Sequence, residues 1–156
     1  MWRVPGGAHA TTDMSAVAGA RRIRRPNGHW LSPRQPAGAA SPLHVHTREA
    51  EAWFLLQGAM TYRAGEQLIR MTAGDFIYLP REVPHAFRTT GTVPVRFLAL
   101  TLPGGLLDIY DEVGCPAAER RLPDAGVSNA DAARWLELAP RYGLRVVGPP
   151  IPEAEA

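Results

Sequence analysis

The segment from His44 to Gly58, HVHTREAEAWFLLQG, contains two histidines separated by one residue, then two glutamates and an apolar run. In a β-strand, residues i and i+2 point to the same side, so the side chains of His44 and His46 project together. Glu51 begins the next β-type run, and His85 opens another one further along the chain. Three imidazoles and one carboxylate that converge inside a barrel form a divalent-metal site. Imidazole suits Zn, Cu, Fe and Ni, and the carboxylate extends the choice to Mn.

Short β-type segments with turn signals between them extend on both sides of this stretch, from Arg21 to about Leu102. The runs include EAWFLL, AMTYR, QLIRM, DFIYL, HAFRT and VRFLALTL, and turns such as PNG, QG, AGEQ and TAGD separate them. Turns this closely spaced, with no helical period between them, indicate a sandwich or a barrel. We therefore predict an all-β fold, with a loose N-terminal arm over residues 1–20 and a β-barrel over residues 21–102.

The pattern changes after Leu102. PGGLLDIYDEVG is typical of a short helix that ends at Gly114. SNADAARWLELAPRYG predicts a second helix, with Ser128 as its N-cap and Gly143 after its end. LRVVGPPIP is expected to return as a last strand. The prediction for residues 103–156 is thus an extension in which two short C-terminal α-helices pack outside the barrel.

Composition limits the possible partners and the cellular compartment. The chain has 156 residues, enough for one domain, and its net charge of +2 does not indicate a nucleic-acid partner. The basic cluster RRIRR at residues 21–25 has no aromatic interleaving, and a charged edge strand is the better interpretation. Cys115 is the only cysteine, so no intrachain disulfide is possible, and no apolar run reaches the length of a membrane span. We predict a soluble cytoplasmic protein that binds neither nucleic acid nor membrane.

Strand alternation predicts which side chains face the interior. If Gln57 and Gly58 form a two-residue hairpin loop, Trp53 pairs with Tyr62, and directly opposed residues share a face. Phe87 follows His85 on the same face, and an outward Arg96 turns its neighbours inward. The resulting pocket is lined by Trp53, Leu55, Met60, Tyr62, Phe87, Val95 and Phe97, residues that suit either a small-molecule site or a filled core. The same alternation turns Phe54, Leu56, Leu98 and Leu100 outward.

The stretch around the histidines resembles the first motif of the cupin superfamily: a glycine, five residues, H-x-H, a short gap, a glutamate, six residues and a glycine. All five of its positions are filled, by Gly38, His44, His46, Glu51 and Gly58. GDFIYLPREVPHAFRT resembles the second motif through Gly74, Pro80 and His85, and departs from it at Glu82 and Thr89, where the motif has glycine and asparagine. The tail RYGLRVVGPP is similar to that of small quercetinase-like single-domain cupins.

The resemblance implies a jelly-roll barrel of six to eight strands that holds one divalent metal ion per chain, of Fe, Mn, Ni, Zn or Cu. The implied ligands are His44, His46, Glu51 and His85. Glu49 is the rival carboxylate, because alternation aims it inward as well, although it lies nearer the turn.

Three functions fit this site, and the sequence does not decide between them. The first is a quercetinase-like dioxygenase that acts on a small aromatic, enolic or polyketide-like molecule, with Glu51 as the base. The second is a non-redox cyclase, isomerase or lyase of secondary metabolism, in which the metal polarises a carbonyl. The third is a binding module without turnover. Large apolar residues on the outer face need a cover, either from the C-terminal helices or from another subunit, and the resemblance to small cupins leads us to predict a homodimer.

Overall fold

The computed structural model describes residues 22–25, 28–31, 34–113 and 129–156. In this part the chain forms two antiparallel sheets, whose inner faces share one core. The strands are β1 (Arg22–Arg25), β2 (Gly28–Leu31), β3 (Arg34–Gln35), β4 (Leu43–His46), β5 (Ala50–Gln57), β6 (Ala59–Ala64), β7 (Gln67–Thr72), β8 (Phe76–Leu79), β9 (His85–Thr90), β10 (Val95–Leu102) and β11 (Leu144–Gly148). The helices are α1 (Ile109–Val113) and α2 (Asn129–Leu138), and three 3-10 turns cover Leu106–Asp108, Ala139–Tyr142 and Glu153–Glu155.

The two sheets exchange strands along the chain, as in a jelly roll. The first sheet has the order β1-β2-β10-β5-β8, with β3 also paired to β10, and the second has the order β11-β4-β9-β6-β7. The predicted all-β fold with two short C-terminal helices is therefore confirmed. The arginine-rich strand β1 lies at the edge of the first sheet, as the sequence indicated.

The predicted hairpin between β5 and β6 is wrong. β5 pairs with β8 and β10, whereas β6 pairs with β7 and β9, so the two strands belong to different sheets. Gly58 (φ 84°) lies where the chain passes from the first sheet to the second. A Cβ at this position would lie 2.9 Å from Val95 Cγ2. The inward positions are nevertheless as predicted, because alternation along a strand does not depend on which strand is its partner.

The inner faces of both sheets form one cluster of buried side chains. It consists of Trp53, Leu55, Met60, Tyr62, Met71, Ile77, Leu79, Phe87, Val95, Phe97, Ala99 and Leu107. On the outer face of the first sheet, Phe54 and Leu56 are 38% and 42% exposed, beside Phe76 at 36% and Tyr78 at 44%. The predicted outward orientation of Phe54 and Leu56 is confirmed. This set of four residues, called the apolar outer face below, is large for a solvent-exposed surface.

The C-terminal elements pack around a second cluster. Leu106, Ile109 and Val113 meet Trp135 of α2, Ala139 and Leu144 in this cluster. β11, the predicted last strand, pairs antiparallel with β4. The N-terminal arm, the predicted helix end at Gly114 and the predicted N-cap Ser128 lie outside the described residues. In the described residues, no helix is long and apolar enough to cross a membrane.

A turn with an unusual backbone precedes β9. Glu82, which replaces the glycine of the motif that this segment resembles, has φ 65°, in the left-handed region that glycine adopts freely. Its N–H donates a hydrogen bond to the carbonyl oxygen of His46 (2.9 Å). Its carboxylate lies 3.2 Å from the guanidinium of Arg145, and both side chains are exposed. The turn thus keeps a glycine-like conformation without glycine, and it connects directly to the backbone of a metal-ligand candidate.

Candidate metal centre

Two adjacent strands bring three histidines together. His44 and His46 lie on the inner side of β4, and His85 is the first residue of β9, where its Cα is opposite that of His44. The ring centroids are 4.3 Å apart for His44 and His85, 4.8 Å for His46 and His85, and 5.1 Å for His44 and His46. All three side chains are buried, and one nitrogen of each lies within 4.8 Å of the others. Of the described residues, these three are the group that could hold a metal ion.

Backbone carbonyls orient two of the rings in the same way. His44 Nδ1 lies 2.9 Å from the Pro42 oxygen, and His85 Nδ1 lies 2.8 Å from the Val83 oxygen. Because a carbonyl only accepts, each Nδ1 carries the proton, and each Nε2 keeps a free lone pair. Among the residues that the structure describes, His85 Nε2 and both nitrogens of His46 are buried without a hydrogen-bond partner. Such an arrangement, with the outer nitrogen anchored and the inner one free, is typical of metal-binding histidines.

Burial keeps the three rings uncharged. Desolvation, reinforced by the neighbouring His85, lowers the pKa of His44 to about 3, and desolvation lowers the pKa of His85 to about 4. The pKa of His46 is lowered well below 6.5 by desolvation and by the two other rings. Neutral imidazole is the form that binds a metal, so the site is ready for an ion at neutral pH.

Two buried carboxylates accompany the histidines. Glu51 Oε2 lies 3.5 Å from His85 Nε2, and burial raises the pKa of Glu51 to about 7. Trp53 and His44 lower that pKa in turn, although the Trp53 indole nitrogen makes no hydrogen bond within the usual distance. Trp53 is therefore a neighbour of the Glu51 carboxylate and not its hydrogen-bond partner. Glu51 is thus next to the histidine cluster, with an unpartnered oxygen.

Glu49, the rival carboxylate, is buried as well. Desolvation raises its pKa to about 7, against the effect of the nearby Arg48. A Cβ added at Gly105 would lie 3.7 Å from Glu49 Oε1, so this carboxyl group is directed towards the segment that precedes α1. Its other oxygen, Oε2, has no hydrogen-bond partner. Both glutamates are therefore buried. Of the two, Glu51 is the one with a carboxylate oxygen close to a histidine nitrogen, that of His85.

The seven predicted pocket residues lie together behind the histidines. Trp53, Leu55, Met60, Tyr62, Phe87, Val95 and Phe97 are each at most 3% exposed and belong to one cluster. The rings of Trp53 and Phe97 stack with centroids 3.5 Å apart, and Phe87 is tilted against Trp53 at 5.9 Å. The interior next to the candidate metal centre is consequently aromatic.

Two hydroxyl groups complete the surroundings. The ring of Tyr62 lies 5.9 Å from that of His85 at an angle of 26°, and its buried hydroxyl has no hydrogen-bond partner in the described part of the chain. Burial, followed by the charge of Glu51, raises the pKa of Tyr62 well above 10. Thr101, on β10, is directly opposite Glu51, and its buried hydroxyl is likewise unpartnered among the described residues. The sequence interpretation missed Thr101, although the alternation through Val95, Phe97 and Ala99 extends to it.

Comparisons with known proteins agree with this geometry. Residues 34–101 match the family model described as Cupin domain. An uncharacterized protein of Methanocaldococcus jannaschii is 29% identical over 68 residues, which are 44% of this chain and 54% of that protein. Quercetin 2,3-dioxygenase of Bacillus subtilis is 26% identical over 102 residues, which are 65% of this chain and 30% of that enzyme. The chain thus spans 54% of the length of the first relative and 30% of the length of the second.

The fold of this chain is also similar to the folds of solved structures. A Klebsiella pneumoniae protein with a double-stranded β-helix domain aligns with a TM-score of 0.50 and 20% identity, over 55% of this chain and 74% of that one. At this identity the likeness concerns the fold alone. Residues 34–101 thus match the cupin domain model, two sheets exchange strands around them, and three histidines meet on β4 and β9. The chain is similar to small quercetinase-like cupins.

Proposed function

We propose that this protein is a metal-dependent cupin enzyme, a quercetinase-like dioxygenase that acts on a small aromatic, enolic or polyketide-like molecule. The observation that carries the proposal is the buried cluster of three neutral histidines with Glu51 beside His85. The similarity to quercetin 2,3-dioxygenase supports the reaction class, and the activity is a proposal because the chain spans 30% of that enzyme. The cytoplasmic location stays a prediction.

The residues fit a divalent transition metal. Unpartnered buried nitrogens of His46 and His85 and the unpartnered Glu51 Oε2 are polar atoms that an ion would satisfy. His44, His46 and His85 would hold the ion through ring nitrogens, and Glu51 through a carboxylate oxygen. A redox-active ion held by these residues would supply redox chemistry between an enolic substrate and O2. Fe, Mn, Ni, Zn and Cu all accept this mixed ligand set.

The remaining roles belong to the protein's own side chains. Glu51 accepts the proton of an enolic hydroxyl, because its Oε2 is unpartnered and stands beside the ligand cluster. The buried aromatic side chains of Trp53, Phe87 and Phe97, which pack on one another, form an apolar wall beside the histidine cluster and exclude water from it. The anchored rings of His44 and His85 keep the ligand geometry rigid during turnover.

The test combines metal analysis with an oxygen assay on the same preparation. Protein purified without added metal is expected to contain one divalent ion per chain and to consume O2 with quercetin or a related enolic aromatic compound. Glu51→Gln is expected to keep much of the metal, because three histidines remain, and to lose about 100-fold or more in turnover. Glu66→Gln, at an exposed position, is the matched control.

The other outcomes separate the alternatives. Turnover of an enolic compound without O2 uptake supports a non-redox cyclase, isomerase or lyase, in which the ion polarises a carbonyl. Tight binding without any turnover supports a binding module. A fully active Glu51→Gln removes Glu51 as the base, and loss of activity in Glu49→Gln then assigns the proton transfer to the second buried carboxylate.

A further inference from the structure

The hydroxyl of Tyr62 is a buried donor that the proposed reaction has not used. Tyr62 is fully buried on β6, and its hydroxyl has no hydrogen-bond partner in the part of the chain that the structure describes. A buried polar group without a partner costs free energy, and a phenylalanine would fill nearly the same volume without that cost. The hydroxyl therefore points to a partner that arrives from outside the chain.

The sheet register places the side chain of Tyr62 next to the candidate metal centre. Ala64 is opposite His85 and Tyr62 is opposite Phe87, so Tyr62 lies one inward-facing step deeper in the barrel than His85. Its ring is nearly parallel to that of His85, with centroids 5.9 Å apart. Glu51 Oε2 is 3.5 Å from the same imidazole. A small molecule that binds beside these two ligands meets the phenol at its side.

A phenol at neutral pH is a hydrogen-bond donor, and donors select for acceptors. Oxygen atoms that carry negative charge accept the strongest such bonds, and a divalent ion attracts these same atoms. One oxygen atom between the ion and the phenol would satisfy both groups. The donor thus favours a ligand with a carboxylate, enolate or phenolate oxygen over a ligand that binds through nitrogen.

We propose that Tyr62 is a positioning residue whose hydroxyl donates a hydrogen bond to an anionic oxygen of the molecule bound at the metal centre. This inference rests on the proposed metal site, and it narrows the substrate class to small molecules that present such an oxygen. Tyr62 then fixes which atom of the bound molecule stays beside Glu51 and His85.

The experiment uses full-length protein loaded with Co2+, whose visible absorption reports a new ligand on the ion. Acetate is the probe with an anionic oxygen, and imidazole is the probe that binds through nitrogen and offers the phenol no acceptor. Tyr62→Phe is expected to weaken acetate binding about 10-fold or more, since a hydrogen bond to a charged group is lost, and to change imidazole binding less than about two-fold. Tyr78→Phe is the matched control on the exposed outer face.

Thermal unfolding of the metal-free proteins tests a purely structural role. Tyr62→Phe is expected to melt at the same temperature as the wild type or higher, because it removes an unpartnered buried hydroxyl. A clear fall in melting temperature would show that the hydroxyl serves the fold, and this result would overturn the inference. Equal acetate affinity in Tyr62→Phe and wild type would overturn it too, with the metal site intact. A wild-type protein that does not bind Co2+ would instead refute the metal site, and the inference with it.

Discussion

Replacing Glu82 by glycine is expected to relieve a backbone cost at this turn. Glu82 has φ 65°, and a side chain in the left-handed region costs roughly 1–2 kcal/mol through the clash of its Cβ with the backbone. Glycine avoids this cost but loses about 0.5–1 kcal/mol more conformational entropy on folding. The backbone effect alone should therefore raise the free energy of unfolding by about 0.5–1 kcal/mol, or Tm by about 1–4 °C for a chain of this size.

Two further variants isolate this effect from that of the ion pair. Glu82 lies 3.2 Å from Arg145, but both side chains are about 60% exposed, so the pair contributes at most about 1 kcal/mol. Glu82→Gln removes the charge and keeps the left-handed side chain, whereas Glu82→Ala removes the pair and keeps a Cβ. The comparison of Glu82→Ala with Glu82→Gly in urea unfolding gives the backbone effect directly. A Glu82→Gly protein no more stable than Glu82→Ala would refute the reasoning.

Three other predictions follow from the interior and from the outer face. Metal binding should release about 0.9 proton at pH 6 and about 0.1 proton at pH 8. The reason is that the raised pKa of Glu51, about 7, keeps this carboxyl group mostly protonated below pH 7 in the metal-free protein. Calorimetry in buffers of different ionisation enthalpy measures this release, and an equal release in Glu51→Gln would contradict it. Phe97→Ala should lower the free energy of unfolding by about 3–5 kcal/mol, since Phe97 is buried and stacked on Trp53. Urea unfolding measures the loss, the exposed Val93→Ala is the control, and a loss below about 1 kcal/mol would argue against a packed interior. We also propose, as the sequence predicted, that a second copy of the chain covers the apolar outer face. Light scattering should give twice the chain mass of 17.0 kDa for the wild type and the mass of a single chain for Phe54→Glu. A monomeric wild type at micromolar concentration would exclude the dimer.

The positions of the inward side chains were predictable because alternation is a local property. A strand turns every second residue to the same side whatever its partner, so His44 and His46, or Val95 and Phe97, could be assigned from sequence alone. The same argument extended by one step would have included Thr101. The strand pairing was not predictable in this way: the QG connection looks the same whether the chain turns back in one sheet or crosses to the other.

The electrostatics of the site also escaped the sequence. The sequence suggested Glu51 as a ligand. It did not indicate that the carboxyl groups of Glu49 and Glu51 are both buried with pKa values of about 7, because burial depends on the whole fold. The anchoring of His44 and His85 by carbonyls two residues earlier is likewise a property of the turns. The left-handed Glu82 was unexpected since local steric preference disfavours it, and the surrounding structure overrides that preference.

The pairing of β11 with β4 makes the strand that carries two of the histidines an interior strand of its sheet. Leu144 is opposite His46 and Val146 is opposite His44, so this strand obtains one of its neighbours from residues almost a hundred positions later in the chain. β9, which carries His85, is its neighbour on the other side. Without β11, β4 would become an open edge of the sheet, so a variant truncated before Leu144 is expected to hold the histidine pair less firmly.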